Sequence, residues 1–230
     1  MDGGFIVAGK SNRATLLFKV DALGQEQWRR LFSNDDQADF VLRASDGGYI
    51  IGGHVYRHYG NKKSWIIKTD ALGNERWTHR FEGMAVGGVE ASGEAYVVVG
   101  NTKDSEGRTF HGLLVKLDAR GNRLWDRQFA PGRTDWLAAI APASDGGFAL
   151  AGNTSAPTSY NRDFWLIKVD SNGQPLWQQT FDKASDDEAH AVVHTDDGGY
   201  LLVGTTDAGK VWMIKTNSTG RKEWDRTIED

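Results

Sequence analysis

The sequence carries one eight-residue signature, Asp-x-x-Gly-x-x-x-Trp, five times at nearly even intervals. The copies are DALGQEQW, DALGNERW, DARGNRLW, DSNGQPLW and NSTGRKEW, which end at Trp28, Trp77, Trp125, Trp177 and Trp224. They are spaced by 49, 48, 52 and 47 residues, and only the last copy replaces its Asp, with Asn217. Periods of this length indicate repeated supersecondary units, so the fold has to place five copies of one unit in equivalent surroundings.

Two further elements precede the signature. A lysine stands two positions before the first residue of every copy: Lys19, Lys68, Lys116, Lys168 and Lys215. Farther upstream lies a DGG[FY] element, in DGGFIVAG, DGGYIIGG, DGGFALAG and DGGYLLVG, whereas the third repeat has SGEAYVVVG. The repeated Lys and Asp are expected to make turn-capping or cross-strand contacts.

Each repeat divides into four short extended segments, a to d in chain order, separated by turn signals. In the second repeat they are ADFVLRAS, YIIGGHV, SWIIKTD and RWTHRF. Asp-Gly-Gly supplies the positive φ of a tight a–b hairpin, and Asp-x-x-Gly suits a type I turn between c and d that is closed by a left-handed glycine. Segment b is almost wholly apolar, as expected of a strand covered on both faces.

Four local antiparallel strands per repeat predict an all-β fold, a five-bladed β-propeller of four-stranded antiparallel blades. A linear β-solenoid has shorter repeats, and stacked sandwiches would not explain why one tryptophan recurs in every repeat. The chain is expected to form one propeller domain whose repeats cover about residues 1–36, 37–82, 83–133, 134–185 and 186–230.

The sequence opens at segment b of the first repeat and holds only four a segments. The first blade is therefore predicted to lack its innermost strand; the alternative is that the chain belongs to a longer repeat array. We expect the first and fifth blades to touch mainly through side-chain packing. The bare edge of the first blade also offers a route to dimerisation by strand addition.

Composition excludes several classes of function. The chain has no cysteine, which excludes a disulfide scaffold, a thiolate metal site and a cysteine nucleophile. Its net charge of −4 is spread without blocks of one sign, which argues against nucleic acid as a partner. No apolar run approaches the roughly 20 residues of a membrane helix, so membrane insertion is not expected, and MDGGFIVAGK lacks the basic start of a signal peptide. No motif predicts a cofactor or a metal site.

The repeats resemble the bacterial β-propeller repeats with a DGGYIVAGxT and WLIKxDxxGNxxW pattern, over essentially the whole chain. The signature is also similar to the tryptophan-docking motif of quinoprotein-type propellers, in which the Trp packs between blades. The resemblance implies an interaction or scaffold module in a secreted, periplasmic or cell-surface setting. Two departures are that quinoprotein dehydrogenases have more blades and that no residue here matches their cofactor-binding residues. WD40-type Gly-His and Trp-Asp signatures are also absent.

The recurring tryptophans are interpreted as structural. A residue present at one position of every repeat is more simply an inter-blade wedge than a sugar platform. Trp65, Trp165 and Trp212 share a position on segment c where other repeats have Leu16 and Leu113, and a position that accepts Trp or Leu is typical of a core.

Candidate binding residues lie on the face formed by the b–c and d–a loops, which differ in length and sequence, since variable loops on a rigid scaffold carry binding. Aromatic and hydrogen-bonding side chains alternate there, a combination that suits a glycan or an extended peptide. The alternative is that they only pack their own loops. The candidates are Tyr56, Arg57, His58, Tyr59, Phe110, His111, Tyr160 and Arg162.

Alignment of the repeats places Asp36, Asp135 and Asp187 at one position before segment a, where the third repeat has Gly83. Three carboxylates at a channel mouth could hold a polar ligand, or each could cap the turn that precedes its strand; recurrence favours capping. Trp136 departs from the repeat pattern and is the single best candidate for a ligand contact, although it could instead cover a neighbouring blade.

The leading functional hypothesis is a non-enzymatic binding or scaffold module that recognises a glycan or a protein on this loop face. The second is a carbohydrate-active enzyme of the glycoside hydrolase type, for which Asp39, Glu90 and Glu188 are the available channel carboxylates. No catalytic residue is assigned, because these three occupy different repeat positions. The third is a purely structural segment of a larger surface protein.

Overall fold

The computed structural model describes residues 3–11, 14–34, 36–55, 63–183, 186–206 and 209–228, without the side chains of residues 33, 34 and 36. These residues form nineteen β-strands in five antiparallel sheets and contain no α-helix. The chain is therefore all-β, as predicted.

Every sheet is made of strands consecutive in the chain. The first sheet has three strands, β1 (Phe5–Ser11), β2 (Ala14–Val20) and β3 (Glu26–Asn34). The second has β4 (Asp36–Arg43), β5 (Tyr49–Val55), β6 (Lys63–Thr69) and β7 (Glu75–Glu82). The third has β8 (Met84–Ala91), β9 (Ala95–Lys103), β10 (Phe110–Leu117) and β11 (Arg123–Phe129). The fourth has β12 (Asp135–Pro142), β13 (Phe148–Ser155), β14 (Arg162–Val169) and β15 (Pro175–Phe181), and the fifth has β16 (Glu188–His194), β17 (Tyr200–Thr206), β18 (Lys210–Thr216) and β19 (Lys222–Ile228).

The three strands of the first sheet correspond to segments b, c and d. Among the described residues no strand pairs with the free edge of β1, where an a strand would lie, so the prediction that the first sheet lacks the innermost strand is confirmed. The other four sheets each begin with an a strand, which carries a β-bulge at one shared position.

The c–d turns close by a contact that the signature Asp makes within its own turn. Asp70 Oδ1 accepts hydrogen bonds from the backbone N–H of Leu72 and Asn74, both at 2.9 Å, and Gly73 has a φ of +79°. Asn217 makes the same two contacts at 3.0 Å in the fifth sheet. The replacement of Asp by Asn in the last copy is therefore tolerated because the turn needs only an acceptor oxygen.

The repeated lysine reaches the Asp of the DGG turn across the sheet. The Lys168 ammonium is almost fully buried and donates to both carboxylate oxygens of Asp145, at 2.9 and 2.8 Å, and to the Val169 carbonyl at 3.0 Å. A Cβ on Gly147 would lie 2.2 Å from that carbonyl and 2.7 Å from Lys168 Nζ, which explains the second glycine of the motif. The second and fifth sheets repeat this arrangement, with Lys68 on Asp46 and Lys215 on Asp197.

Four signature tryptophans pack on the next sheet along the chain. Trp28 contacts Tyr49 at a ring separation of 5.9 Å, and a Cβ on Gly73 would lie 2.6 Å from the Trp28 ring. The interpretation of these residues as inter-blade wedges is confirmed for the first four copies. The equivalent contacts join Trp77 to Tyr96 and Gly121, Trp125 to Gly173, and Trp177 to Tyr200 and Gly220.

Apolar residues fill the spaces between neighbouring sheets, where the b and c strands of the second to fourth sheets are almost wholly buried. Trp65, Trp165 and Trp212 are each only 1% exposed, so their assignment to the core is confirmed. No helix in the described part of the chain is long and apolar enough to cross a membrane.

The sheets contact one another in chain order, from the first to the fifth. Within the described residues, the first and fifth sheets share no packing comparable to that between consecutive sheets, and the ring is not closed. The expectation that these two blades pack against each other through side chains was therefore wrong for this structure. No strand in the described part of the chain takes the place of the missing a strand, and Trp224, the signature tryptophan of the fifth sheet, remains partly exposed.

Candidate functional site

The loop face is the end of the sheets at which the b–c and d–a loops emerge. Tyr56, Arg57, His58 and Tyr59 lie outside the described residues. The backbone of Asp36 begins β4 and pairs with Val55, but its side chain is also outside the described set. The remaining candidates belong to the third, fourth and fifth sheets.

Phe110 and Trp136 come together across the boundary between the third and fourth sheets. Phe110 begins β10, Trp136 is the second residue of β12, and their rings lie 5.1 Å apart in an edge-to-face arrangement. Lys103 Nζ lies 5.4 Å from the Phe110 ring centroid. The buried Asn101 amide fixes the boundary beneath them, because it donates to the Leu137 carbonyl at 2.8 Å and accepts from the Leu137 N–H at 2.7 Å. Trp136 thus covers a neighbouring sheet and also forms part of a half-buried aromatic pair.

A cavity of about 380 Å³ opens beside this pair. Its wall is formed by the d–a junction at residues 82–84, the end of β9 with the following b–c loop at residues 101–107, and Phe110. The strand registers place Gly83 at the position in the third sheet that Asp135 and Asp187 hold in the next two sheets. The third sheet therefore has no carboxylate where the fourth and fifth sheets bury one, and the cavity lies at that position.

Tyr160 projects from the b–c loop of the fourth sheet and is 75% exposed. The Arg133 guanidinium, which comes from the adjacent d–a loop, lies 4.0 Å from the Tyr160 ring centroid. Arg133 Nη2 also donates to the Tyr160 hydroxyl at 2.6 Å. The guanidinium therefore stacks on one face of the exposed ring, which leaves the other face open to solvent in a restricted orientation.

Arg162 is neutralised by carboxylates at the boundary between the fourth and fifth sheets. Its Nε donates to Asp186 Oδ1 at 2.9 Å, and its Nη1 donates to Glu188. The Arg162 hydrogen bond holds the pKa of Asp186 below its usual range. The contribution of Arg162 to the loop face is therefore an ion-pair cluster that joins two sheets.

Asp135 and Asp187 are fully buried and cap their own loops. Asp135 accepts from Thr154 Oγ1 at 2.5 Å and from the Gly132 N–H at 3.1 Å, and Asp187 accepts from the Lys183 N–H at 2.8 Å. Burial raises the pKa of Asp135, against the lowering effect of these two hydrogen bonds. These contacts match the capping alternative of the sequence interpretation, in which each Asp closes the turn before its strand.

A second cavity, of about 350 Å³, lies over the fourth sheet between Pro131 and Gly132 on one side and Trp165 on the other. Asp163 lines it, and its pKa is raised by burial and by the nearby charges of Asp182 and Asp187.

His111 lies near the first cavity. Its side chain is half-buried, and its Nε2 lies 3.4 Å from Thr109 Oγ1.

Sequence reasoning missed two contributors to this face, Lys103 and Arg133. Both are exposed cations beside aromatic rings, one at the end of β9 and one in the PGRTD loop. The signal that could have found Arg133 is its place in the d–a loop immediately before Trp136, because that loop neighbours the b–c loop of the same sheet.

The three carboxylates considered for hydrolysis make separate contacts. Asp39 Oδ2 lies 2.5 Å from His54 Nδ1, and Glu188 binds Arg162. Glu90 accepts from the Ser45 N–H and hydroxyl, both at 2.7 Å, which places it near the a–b turns at the opposite end of the sheets. Within the described part of the chain, no group of three His, Asp or Glu side chains is arranged to hold a metal ion.

Comparison with protein-family models and with curated proteins finds no match. Among solved structures, the chain is similar to a Bacteroides caccae protein of unknown function, at 12% identity and a TM-score of 0.59, over 97% of this chain and 80% of that one. The chain has a propeller-like all-β fold. No family model supports the finer resemblance to the bacterial repeats or to quinoprotein propellers.

Two further similar structures are exo-β-1,3-galactanases. One, a putative enzyme from Bifidobacterium bifidum, matches at 12% identity and a TM-score of 0.55, over 100% of this chain and 90% of that chain. The other, from Phanerochaete chrysosporium with galactose, matches at 11% identity and a TM-score of 0.50. This chain spans only 62% of the latter, which is less than two thirds. At such identities the likeness concerns the fold alone.

Proposed function

We propose that this chain is a five-bladed propeller-type binding module that holds a glycan on the loop face of its third and fourth sheets. The observation that carries the proposal is the Phe110–Trp136 pair beside a cavity of about 380 Å³, with the exposed Tyr160 ring on the same face. The repeats supply a rigid frame, and these loops supply the side chains that differ from one sheet to the next.

A glycan fits the chemistry of this face better than an apolar ligand does. Aromatic rings bind the C–H faces of a sugar with little loss of conformational freedom, and the surrounding polar groups bind its hydroxyls. Lys103, Arg133 and the backbone of residues 101–107 provide such groups around the rings.

Binding is favoured over hydrolysis by the positions of the carboxylates. A retaining glycosidase needs two carboxyl groups about 5–5.5 Å apart and an inverting one needs about 6.5–9.5 Å, with both groups flanking one sugar bond. Glu90 lies toward the a–b turns, and Glu188 is paired with Arg162 at the loop end. This arrangement favours a module that binds a sugar without cleaving it.

The test is a glycan array followed by calorimetry, with β-1,3-linked galacto-oligosaccharides as the first probe because of the two galactanase-named neighbours. Loss of one stacking ring in Tyr160→Ala is expected to weaken binding about tenfold, or roughly 1.4 kcal/mol. Trp136→Ala is expected to abolish binding. Leu72→Ala is the matched control, because Leu72 is an exposed apolar side chain on the opposite, turn end.

Binding that is weakened in both loop-face variants but not in Leu72→Ala supports the proposal. A bound glycan whose affinity is the same in all three variants places the site elsewhere. If no glycan binds, and a protein partner is captured in a way that depends on Tyr160, the ligand of this face is a protein and the glycan proposal is wrong. Release of sugar from the probe would favour hydrolysis instead.

A further inference from the structure

The contact that joins consecutive sheets is present four times in the chain. Each of its two sides is present once more, on the fifth and on the first sheet, where no described residue packs against it. We name Trp224 and Arg226 on the fifth sheet the wedge edge, and Phe5, Gly24 and Gln25 on the first sheet the socket edge. Phe5 holds the position that Tyr49 holds in the second sheet, yet Phe5 is 62% exposed and Tyr49 only 5%.

The socket edge already has the shape of an occupied socket. Gly24 has a φ of +80°, as do Gly121 and Gly220, which each receive a tryptophan ring. A Cβ built on Gly220 would lie 2.5 Å from Trp177, whereas a Cβ on Gly24 meets no atom within 4 Å. The turn of the first sheet thus keeps the glycine geometry of a docking site while the ring that would fill it is absent.

The wedge edge is arranged like its occupied counterparts. Trp224 is 42% exposed, while the other four signature tryptophans are all more buried. Arg226 Nη1 donates to the Asp225 carbonyl at 3.2 Å, in the way that Arg127 Nη1 donates to the Asp126 carbonyl at 2.7 Å. The arginine is therefore held in the conformation that it adopts when the next sheet is present.

The polar pairing matches as well. Arg127 meets the Gln174 amide oxygen of the next sheet, with Nε at 3.0 Å and Nη2 at 3.2 Å when that amide faces the guanidinium. Arg226 and Gln25 hold the corresponding positions at the two ends, so docking of one edge on the other would bring them into the same Arg–Gln pair. An apolar wedge, a glycine socket and a polar pair together specify one partner surface.

We propose that the wedge edge of one chain docks on the socket edge of a second copy of the same chain. The fifth and first sheets of a single chain share no comparable packing in the described residues, and the wedge edge and the socket edge complement each other, which favours a second copy as the occupant of each. Because the two surfaces differ, the association is head-to-tail: each chain offers one wedge and one socket, and assemblies grow until they close.

The experiment is sedimentation velocity on the 230-residue chain over a hundredfold range of concentration. The wild type is expected to rise above its monomer mass of 25.4 kDa as concentration increases. Trp224→Ala removes the wedge, and Gly24→Ala places a methyl group where the ring has to lie, so each alone is expected to stay monomeric. Phe5→Ser is a second socket variant, at an exposed position, and it tests the same surface if Gly24→Ala does not fold. Leu23→Ala is the control, because its counterpart Leu72 stays 61% exposed beside a docked tryptophan.

Mixing separates this mode from other modes of association. Trp224→Ala keeps an intact socket and Gly24→Ala keeps an intact wedge, so an equimolar mixture is expected to form a dimer that does not grow further. A wild type that remains monomeric throughout overturns the proposal, as would closure of one chain on itself. Dimers that persist in both single variants would also overturn it, and would indicate strand addition at the free edge of β1.

Discussion

The contacts at the turn end and at the loop end of the sheets differ in how often they recur along the chain. At the turn end, the same contacts recur: an Asp or Asn closes each c–d turn, and a buried lysine reaches the DGG carboxylate in three of the sheets. At the loop end, the aromatic contacts occur once each, as in the Phe110–Trp136 pair and the Arg133–Tyr160 pair. Repetition therefore indicates what holds the sheets together, and departure from repetition indicates where a ligand would bind.

The largest expected effect compares two glycines of nearly equal backbone conformation. Gly173 on the turn end has a φ of +74° and Gly107 on the loop end one of +71°. Alanine at either position costs about 1–2 kcal/mol for the left-handed backbone. At Gly173 the methyl group would also lie 2.8 Å from the Trp125 ring, which adds about 1–3 kcal/mol of overpacking.

Urea unfolding followed by tryptophan fluorescence measures this difference. Gly173→Ala is expected to lower the unfolding midpoint clearly more than Gly107→Ala, whose new methyl group meets no atom within 4 Å. Equal losses in the two variants would mean that the sheet-to-sheet contact adds nothing beyond the local conformation, and the distinction between the two ends would fail.

The second prediction concerns the buried lysine. Asp145→Asn leaves the Lys168 ammonium with only the Val169 carbonyl and a neutral amide as partners. The substitution is expected to lower the free energy of unfolding by about 1–2 kcal/mol, because hydrogen bonds between charged groups contribute about that much. The value is at the lower end because water partly screens the half-exposed carboxylate. Asp104→Asn is the loop-end control. Asp104 accepts from the Arg108 N–H at 2.7 Å, a contact that an amide oxygen can also make. A cost in the control equal to that in Asp145→Asn would contradict the role of the lysine.

The same ion pairs predict acid sensitivity. The hydrogen bond from Lys168 lowers the pKa of Asp145, and that from Lys215 lowers the pKa of Asp197. A carboxyl whose folded-state pKa is depressed stabilises the fold fully above its unfolded value, about 3.9, and loses this contribution as the pH falls through the folded value. When the pH is lowered from 5 to 2, the midpoint of urea unfolding should therefore fall less in Asp145→Asn than in the wild type. A drop as large as that of the wild type would exclude Asp145 as a contributor.

Recurrence let the sequence predict the sheets, the turn chemistry and the tryptophan wedges, because each of these depends on contacts within one repeat or between two neighbours. The Lys–Asp contact was predictable in kind because both residues recur at fixed spacing. Recurrence also favours capping over ligand binding for Asp135 and Asp187, both of which are candidates for a ligand contact, since a carboxylate that is needed in several sheets tends to serve the sheet itself.

What the sequence could not predict depends on contacts that occur once or at long range. The stacking of Arg133 on Tyr160 joins two residues 27 positions apart, and the loops that carry them differ in sequence from the equivalent loops of the other sheets. The open boundary between the first and fifth sheets depends on how small rotations between neighbours accumulate over the whole row, and no local pattern records that sum. The bare socket at Gly24 was invisible because its turn sequence matches the occupied ones.

The smallest expected effect on stability is that of Tyr160→Ala, the variant with a large expected effect on binding. Tyr160 is 75% exposed, and an exposed contact between a ring and a cation contributes at most about 0.5–1 kcal/mol. The unfolding midpoint should therefore stay close to that of the wild type and well above that of Gly173→Ala. A large loss of stability would mean that the Arg133–Tyr160 pair holds the loops of the fourth sheet together, in which case the ring would serve the frame and the two ends of the sheets would no longer differ in what they do.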